Sequence, residues 1–353
     1  MPLAPAAEGP EPTAHKATFA PRRLRVSLAP VTAHPILVVG SMAFDDLEFP
    51  VPVPCPEDPK RTSTSFADVV GGSATFAAFA ASCYAPVRVV AVVGSDFPEA
   101  VLAAMRARGI DTAGIERAAG PTFRWRGRYH DDFVGRTTLE TRLGVFAGFR
   151  PRIPEAYRDS PIVLLGNIHP GLQLEVLDQV RAPALVVADT MNLWIETERA
   201  ALGALLRRVG LLVVNDEEAR LLSGIHNIAR AARDILKQGP TRVIIKRGEH
   251  GALCFDSSGA FYAPALPLED VCDPTGAGDS FAGGLLGYLA GRRDVGGGAV
   301  RHAILHGAAT ASYCVQGVGT ARIASLCAAE LAGRVQALRA LCDPADEPEP
   351  LGS

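Results

Sequence analysis

A glycine-rich turn between two acidic residues is the feature of the sequence that most directly indicates chemistry. Asp273 and Asp279 flank a run of small residues, Gly276-Ala277-Gly278, and an apolar segment follows. Small residues allow several backbone N–H groups to converge where a helix begins, and a helix N-terminus carries free donors and partial positive charge. The turn is therefore predicted to bind an anion, with Gly276, Ala277 and Gly278 forming the anion hole.

Asp279 lies at the mouth of this predicted anion pocket. A carboxylate is costly there unless it takes a proton from a group that reacts beside the anion. A substrate hydroxyl fits that role, so the pattern indicates phosphoryl transfer to an alcohol with Asp279 as the base. The alternative is that residues 276–278 form only a tight loop before a helix, and the two spaced acids argue against it.

The stretch at residues 273–284 reads Asp-Pro-Thr-Gly-Ala-Gly-Asp-Ser-Phe-Ala-Gly-Gly. It resembles the C-terminal signature of the ribokinase-like (PfkB) family of sugar and nucleoside kinases, and the resemblance continues over roughly residues 35–323. The resemblance implies that Asp279 is the catalytic base and that residues 276–278 are the anion hole. It also implies ATP and Mg²⁺ as cofactors and a small-molecule acceptor.

Length and composition fit an ordinary globular enzyme. The 353 residues are 48% hydrophobic and 21% charged, with a net charge of −3, so nothing indicates nucleic acid or an anionic membrane as a partner. No apolar run reaches the roughly 20 residues needed to cross a bilayer. The seven cysteines show no C-x-x-C spacing, so neither a disulfide framework nor a zinc site is indicated. We expect a cytoplasmic protein with reduced thiols.

Short apolar runs alternate with helical stretches along the chain. Continuous apolar runs indicate strands that are covered on both faces, and they are predicted at residues 36–39, 87–93, 162–165, 184–188, 211–214 and 243–245. Helices are predicted between them at residues 73–82, 99–108, 172–180, 199–208 and 228–237. The expected fold class is α/β, a doubly wound and mainly parallel sheet with ligands at the C-terminal ends of its strands.

The predicted kinase domain covers residues 34–341, between a disordered extension at 1–33 and a disordered acidic tail at 342–353. Two segments within it, 46–70 and 122–146, alternate polar and apolar residues as half-exposed strands do. In the family that the sequence resembles, a small β-sheet lid grows from these two regions. Such a sheet closes over a site and excludes water, or buries its outer face in a second copy, so a homodimer through the lid is also predicted.

The resemblance assigns substrate-binding residues near the N-terminus of the domain. Asp45 matches a strand-end residue that binds substrate hydroxyls, and a carboxylate accepts two hydroxyl hydrogen bonds at once. Gly71 and Gly72 match a glycine motif whose backbone approaches the sugar. From the residues alone, a turn-capping role for Asp45 is equally compatible with the sequence.

Other substrate positions depart from the family pattern. Sugar kinases of this type carry an asparagine where Phe76 stands, or where Thr75 stands if the alignment shifts by one residue. An apolar ring cannot hold ribose hydroxyls. Asn167 and His169 stand where a substrate-binding glutamate is common, which leaves either of them to face the ligand. Trp125, in the predicted lid, can stack on a nucleobase. These departures argue against plain ribokinase activity.

Two sets of residues are expected to bind cations. Asn215 and Glu218 form the N-x-x-E pattern that in the family organises the magnesium and phosphate network, and magnesium prefers oxygen ligands. The alternative for this pair is a helix N-cap with acids in the first turn. Some family members also bind a monovalent cation beside the anion hole, and here the ring would use Asp273, Thr275 and the turn at residues 317–319, with potassium as the expected ion.

ATP-binding residues are expected at the end of a later strand. Lys246 occupies a position often held by threonine in the family, and an ammonium there neutralises phosphate charge. Gly248 and Gly251 allow a close backbone approach to ATP. His306 is expected to pack on the adenine. The alternatives are a solvated strand end for Lys246 and helix packing for the small residues around His306.

The leading hypothesis is ATP-dependent phosphorylation of a primary hydroxyl, because phosphoryl transfer needs positioning and charge neutralisation more than covalent chemistry. The available aromatic side chains favour an adenosine-like nucleoside as acceptor over a sugar. The alternatives are a sugar or sugar-phosphate kinase of the ribose, fructose or keto-deoxy-gluconate type and a catalytically inactive, ligand-sensing relative. A Rossmann-type dehydrogenase is disfavoured, because its glycine fingerprint belongs at the first strand.

Overall fold

The computed structural model describes residues 33–54, 60–131, 133, 135–292 and 295–342. The predicted N-terminal extension at residues 1–33 and the predicted acidic tail at 342–353 therefore lie outside the described residues, apart from one residue each. Both remain predictions from the sequence.

Thirteen strands occur in the described chain. In chain order they are β1 (Ile36–Val39), β2 (Ala43–Pro54), β3 (Thr62–Gly71), β4 (Val87–Val93), β5 (Ile110–Arg117), β6 (Phe123–Tyr129), β7 (Arg136–Arg142), β8 (Ile162–Leu165), β9 (Leu185–Asp189), β10 (Leu211–Asn215), β11 (Arg242–Lys246), β12 (Ala252–Asp256) and β13 (Gly259–Ala263).

Eleven α-helices connect and cover these strands within the same described residues. They are α1 (Ser73–Ala81), α2 (Glu99–Ala107), α3 (Pro170–Leu177), α4 (Asn192–Thr197), α5 (Arg199–Leu206), α6 (Asp216–Ser223), α7 (Ile228–Lys237), α8 (Ala277–Ala290), α9 (Gly297–Cys314), α10 (Ala321–Ala324) and α11 (Ala328–Ala340).

Nine strands form the large sheet, in the order β13-β12-β11-β10-β9-β8-β1-β4-β5. Pairing is parallel from β11 to β5, and β12 and β13 add an antiparallel edge. Ile36 and Val38 pack into one core with α1, α8 and α9, while Leu37 and Val39 pack into a second core with α3, α5 and α7. Helices on both faces explain the continuous apolar runs and confirm the predicted α/β fold.

A second, smaller sheet has the strand order β3-β2-β6-β7 and is called the small sheet below. It is built from the two segments that the sequence predicted as a lid. Leu47, Phe49 and Tyr129 lie on its inner face in a cluster with Cys272 and Val318 of the large domain. The small sheet is therefore packed against the segments that flank the glycine-rich turn.

The outer face of the small sheet is charged. Arg124 pairs with Asp46 at 2.7 Å and with Asp68 at 2.5 Å. Arg126 and Arg128 both pair with Glu48, each at 2.7 Å. These ion pairs, rather than an apolar surface, occupy much of the face that a homodimer through the lid would bury, and the homodimer stays a prediction.

Candidate active site

The glycine-rich turn forms the N-terminus of α8. Gly276 is the N-cap residue with φ of 73°, a left-handed conformation that glycine adopts without strain. No side chain of the described residues caps this helix end, and Ala277 N donates to the Pro274 carbonyl at 3.2 Å. A helix N-terminus without a side-chain cap is suited to binding an anion. The ring of Phe76 lies against the Cα of Gly276 and supports the turn from below.

Lys246 brings a positive charge to this turn from the end of β11. Its Nζ lies 3.6 Å from Oδ2 of Asp189, and a Cβ added to Gly278 would come within 2.7 Å of the same nitrogen. Burial acts to lower the pKa of Lys246, but Asp189, Glu218 and Asp279 outweigh it and the pKa is raised. The ammonium is therefore a fixed cation beside the predicted anion hole.

Asp279 lies in the first turn of α8 with a small exposed surface, as a base that meets a substrate requires. Loss of water to the surrounding protein raises its pKa to about 7, and the Asp189 carboxylate adds to this rise. Lys246 and Arg136 act in the opposite direction. A carboxyl with a pKa near neutrality is suited to general base catalysis.

Asp45 is a second buried carboxyl that faces the same region. Burial raises its pKa well above the ordinary value, and the charges of Asp273 and Asp279 raise it further. The Asp45 carboxylate lies against the Cα of Gly71, where any side chain would collide with it. Gly71 therefore makes room for Asp45, and Gly72 is the N-cap of α1 with φ of 92°.

Trp125 and Phe76, which were also predicted to contact the substrate, lie in different surroundings. Trp125 pairs in register with Asp45 on the neighbouring strand, so both side chains share the inner face of the small sheet. Its Nε1 donates a hydrogen bond to Thr138 Oγ1 at 3.2 Å. Phe76 is only 1% exposed. The structure thus brings Trp125 to the Asp45 side of the site, whereas Phe76 lies beneath Gly276, and a contact between Phe76 and substrate stays a prediction.

Asn167 and His169 lie after β8 and contact a tryptophan that the sequence did not single out. Trp194 donates from Nε1 to Asn167 Oδ1 at 3.0 Å, and its ring meets that of His169 edge to face at 5.2 Å. His169 also caps α3 by accepting from Gly171 N at 3.0 Å. Asn167 thus has its amide nitrogen left for a ligand, while His169 has a structural role of its own.

Asn215 and Glu218 form a reciprocal capping box at the start of α6. Glu218 N donates to Asn215 Oδ1 and Asn215 N donates to Glu218 Oε2, both at 2.7 Å. Burial raises the pKa of Glu218 to about 7. The helix-cap alternative is therefore present in the structure.

The capping box uses Oε2 of Glu218 and does not use the other carboxylate oxygen, Oε1. Groups of three or more His, Cys, Asp or Glu side chains that would hold a metal ion are absent from the described residues. A single carboxylate oxygen suits Mg²⁺, which keeps several waters and binds phosphate oxygens rather than a cage of protein ligands. Asn215 and Glu218 fit that ion, and their role in binding it stays a prediction.

Asp273 connects the anion turn to the loop after α9. Its side chain accepts from Thr275 N and from Gly319 N, each at 2.8 Å. Burial raises the pKa of Asp273 to about 6. The Thr275 carbonyl accepts from Cys314 Sγ at 3.5 Å. The structure brings together the segments of the predicted monovalent cation ring, and potassium binding stays a prediction.

Three residues predicted to bind ATP lie in different surroundings. Gly248 faces open space, whereas the Cα of Gly251 is covered by the Ala263 carbonyl. His306 stacks on Tyr288 at 4.1 Å, with Nδ1 3.1 Å from the Tyr84 hydroxyl. Tyr288 lies about 16 Å along α8 from the anion turn at 1.5 Å per residue. His306 is therefore distant from the anion turn and packs on Tyr288, and its packing on the adenine stays a prediction.

Comparisons with known proteins agree with this geometry. The family model described as pfkB family carbohydrate kinase matches residues 168–326. The cytidine kinase of Thermococcus kodakarensis is 33% identical over 262 residues, which is 73% of this chain and 89% of that enzyme. The chain belongs to the pfkB family of carbohydrate kinases.

Solved structures of a nucleoside kinase and a ribokinase share the fold at lower identity. The Burkholderia thailandensis nucleoside kinase in complex with inosine has a TM-score of 0.67 at 22% identity, covering 86% of this chain and 98% of its own. Arabidopsis thaliana ribokinase complexed with ribose and ATP has a TM-score of 0.68 at 21% identity, covering 86% and 99%. These likenesses show the fold. As a member of the pfkB family and a relative of a cytidine kinase, the chain is an ATP-dependent kinase of the carbohydrate and nucleoside class. Among its described residues, no helix combines the length and the apolarity that a membrane span needs.

Four residues of this kinase site were missed in the sequence. Asp189 ends β9 one strand from Asn215, and its position at the C-terminal end of an apolar strand was a signal that it faces the site. Trp194 follows the same strand. Tyr129 and Arg136 are paired on the small sheet, and only the strand register reveals that they share a face. The Tyr129 hydroxyl lies 2.7 Å from Thr275 Oγ1, beside the anion turn.

Proposed function

We propose that this kinase transfers the terminal phosphoryl group of ATP to a primary hydroxyl of a nucleoside, with cytidine as the first candidate. The observation that carries the proposal is the presence of two carboxyls beside the α8 N-terminus, Asp279 in the first turn of the helix and Asp45 near enough for the charge of Asp279 to raise its pKa. One carboxyl suits the binding of sugar hydroxyls, and the other suits removal of a proton. The relationship to a cytidine kinase favours that nucleoside over adenosine, which the sequence analysis favoured.

In the proposed reaction, Asp45 accepts hydrogen bonds from two sugar hydroxyls and so orients the primary hydroxyl towards Asp279. Asp279 takes the hydroxyl proton as the acceptor oxygen forms its bond to the γ-phosphorus. The bond between that phosphorus and the β,γ-bridging oxygen breaks, and its electron pair leaves with ADP. The N–H groups of residues 276–278 and the Lys246 ammonium stabilise the charge that develops on the phosphoryl oxygens.

ATP with Mg²⁺ is the phosphoryl donor implied by the family. Asn215 and Glu218 are the residues that would hold the ion through water and phosphate oxygens, and the ion would neutralise part of the phosphate charge. Gly248, where an added Cβ would meet no atom within 4 Å, leaves space for a nucleotide beside the strand that ends at Lys246.

A sugar acceptor is the second candidate, supported by the likeness of the fold to ribokinase. Phe76 argues against it, because an apolar ring occupies the position where an asparagine would bind ribose hydroxyls. Asn167 and Trp194 argue in the same direction, since an amide donor beside an indole ring suits a nucleobase more than a free sugar.

The test is release of ADP from ATP and Mg²⁺ with cytidine, adenosine, inosine, ribose, fructose and keto-deoxy-gluconate as acceptors. We expect cytidine to give the highest kcat/KM and Asp279→Asn to reduce its turnover by a factor on the order of 100 or more. A preference for ribose or fructose would replace the nucleoside assignment with the sugar one. No turnover with any acceptor, together with unchanged ATP binding, would favour an inactive ligand-sensing protein.

A further inference from the structure

We propose that Asp96 is a positioning residue for the acceptor of this kinase. Its carboxylate accepts hydrogen bonds from Thr122, immediately before β6, and so holds the small sheet where Asp45 meets the acceptor. The inference rests on the proposed function, because it concerns the molecule that the kinase phosphorylates. It adds a residue of the large domain that acts on the acceptor through the small sheet.

Residues 94–97, the loop that follows β4, contact the point where the chain enters the small sheet. Asp96 Oδ1 accepts from the backbone N–H of Thr122 at 2.8 Å and from the Thr122 hydroxyl at 2.6 Å. The same hydroxyl accepts from Gly94 N at 2.9 Å. Thr122 is only 2% exposed, so this loop supplies the hydrogen-bond partners that a buried threonine needs.

The backbone of this loop lies in close contact with the segment before β6. A Cβ added to Gly94 would lie 2.4 Å from the Gly120 carbonyl oxygen and 2.4 Å from Thr122 N. Ser95 N also donates to the Gly120 carbonyl, at 2.9 Å. The start of β6 is therefore placed by the loop after β4, and not by the strands of the small sheet alone.

The same loop contacts β2, the other central strand of the small sheet. The ring of Phe97 lies 5.6 Å from that of Phe44, and these side chains are 2% and 5% exposed. Phe44 immediately precedes Asp45. Residues 94–97 thus contact β2 through Phe97 and the start of β6 through Asp96.

The strand register carries this attachment to the acceptor site. β2 and β6 are parallel, with Ala43 opposite Phe123 and Asp45 opposite Trp125. Phe123 directly follows Thr122, so a displacement of Thr122 moves the strand that lies beside Asp45. Asp45 is the residue proposed to bind two sugar hydroxyls, and a small displacement of a binding group is enough to impair a reaction.

The charge of Asp96 suits this role. Burial acts to raise the pKa of Asp96, but the hydrogen bonds from the side chain and backbone of Thr122 outweigh it and the pKa is lowered. Arg124, whose guanidinium lies 5.3 Å from the centre of the Phe44 ring, acts in the same direction. Asp96 is therefore ionised at neutral pH, and an ionised carboxylate accepts stronger hydrogen bonds than a neutral acceptor does.

The test compares Asp96→Ala and Thr122→Val with Asp96→Asn, which keeps an acceptor oxygen. Asp111→Ala is the matched control, because the Asp111 carboxylate also accepts a backbone N–H, from Ala113 at 3.0 Å, but near the start of β5. We expect KM for cytidine to rise by a factor on the order of 10 in Asp96→Ala and Thr122→Val, and Asp96→Asn to recover most of the loss. In Asp111→Ala it should stay within about twofold of the unaltered kinase.

A role in folding alone predicts a different pattern. Loss of folded protein lowers kcat and leaves KM unchanged, so an unchanged KM for cytidine in Asp96→Ala would overturn the proposal. Binding of ATP, measured by calorimetry, should be the same in Asp96→Ala and the unaltered kinase, because the anion turn belongs to the large domain. The double variant of Asp96→Ala and Thr122→Val should be no worse than the more severe single variant, since both remove the same hydrogen bonds. Additive losses would overturn an action through Thr122.

Hydrogen exchange of backbone amides tests the role of Asp96 without an acceptor. In Asp96→Ala the amides of β2 and β6 should exchange faster by a factor on the order of 10, whereas those of β8 and β10 should keep their rates. Unaltered exchange in β2 and β6 would overturn the proposal. Failure of the unaltered kinase to phosphorylate any acceptor would overturn the proposed function instead, and amide exchange would still decide whether Asp96 holds the small sheet.

Discussion

Replacement of Asp279 by asparagine is expected to remove activity and to stabilise the folded protein. Asparagine keeps the shape of the side chain and cannot take a proton at neutral pH, so turnover should fall by a factor on the order of 100 or more. ATP binding should persist, because the N–H groups of residues 276–278 and the Lys246 ammonium are unchanged.

The stabilisation follows from the pKa of Asp279, which the folded protein raises from 3.8 to about 7. Each pKa unit corresponds to about 1.4 kcal/mol, so ionisation of this carboxyl in the folded state costs at most about 4 kcal/mol relative to the unfolded chain. The small exposed surface of Asp279 makes this figure a ceiling. Below about pH 4 both states are protonated and the penalty is absent; it grows as the pH rises and is complete above about pH 7.

The assay is thermal or urea unfolding of Asp279→Asn and the unaltered kinase over this pH range. The free energy of unfolding of the variant should exceed that of the unaltered kinase by an amount that increases with pH and levels off above about pH 7. Asp178→Asn, at an exposed carboxylate, is the control and should show no such increase. A stability difference that does not change with pH would refute the argument from burial, and near-full activity would refute Asp279 as the base.

Four other outcomes follow from the site. In the unaltered kinase, kcat/KM should fall as the pH drops through about 7, because Asp279 must be ionised to accept a proton. Gly278→Ala should weaken ATP binding about tenfold in calorimetry, since its Cβ would come within 2.7 Å of Lys246 Nζ; unchanged affinity would place the nucleotide elsewhere. Glu218→Gln should move half-saturation by Mg²⁺ severalfold higher, and an unchanged titration would leave only the capping role. Rates should be higher in potassium than in tetramethylammonium at equal ionic strength if the carbonyls around Asp273 bind the ion, and equal rates would exclude that site.

The large sheet was predictable because its strands are covered on both faces. Runs such as residues 36–39 and 162–165 coincide with β1 and β8, since each residue must fill one of two cores. All three strands at the edges of the sheet, β5 at one edge and β12 and β13 at the other, were missed. Only Ile110 of β5 is buried, β12 and β13 have five residues each, and β13 is mostly exposed, so their apolar pattern is weak.

The glycine-rich turn was predictable for a related reason. The conformation of Gly276 and the start of α8 depend on neighbouring residues of the chain, so a short stretch of sequence is enough to predict them. The same holds for Asn215 and Glu218, whose spacing specifies a capping box. That spacing could not show whether the pair also binds magnesium, because the capping box uses Asn215 Oδ1 and only one of the two carboxylate oxygens of Glu218.

Contacts set by strand register were not predictable. Arg136 and Arg142 are six residues apart, which in a regular strand puts both on one face. The bulge opposite Gly127 separates them, and nothing local in the sequence marks it. The hydrogen bond between Trp194 and Asn167 likewise joins residues after two different strands, so it exists only once β8 and β9 pair.

The charges of the site also bear on which acceptor it can hold. Asp45 lies among acidic neighbours, Asp46, Asp273 and Asp279, which together with burial raise its pKa. Arg124, on the neighbouring strand, lies on the opposite face of the small sheet in ion pairs with Asp46 and Asp68. A sugar phosphate would bring a further negative charge into this acidic region, and like charges at short range repel. The acidic surroundings of Asp45 therefore favour a neutral acceptor, a nucleoside or a free sugar, over a sugar phosphate.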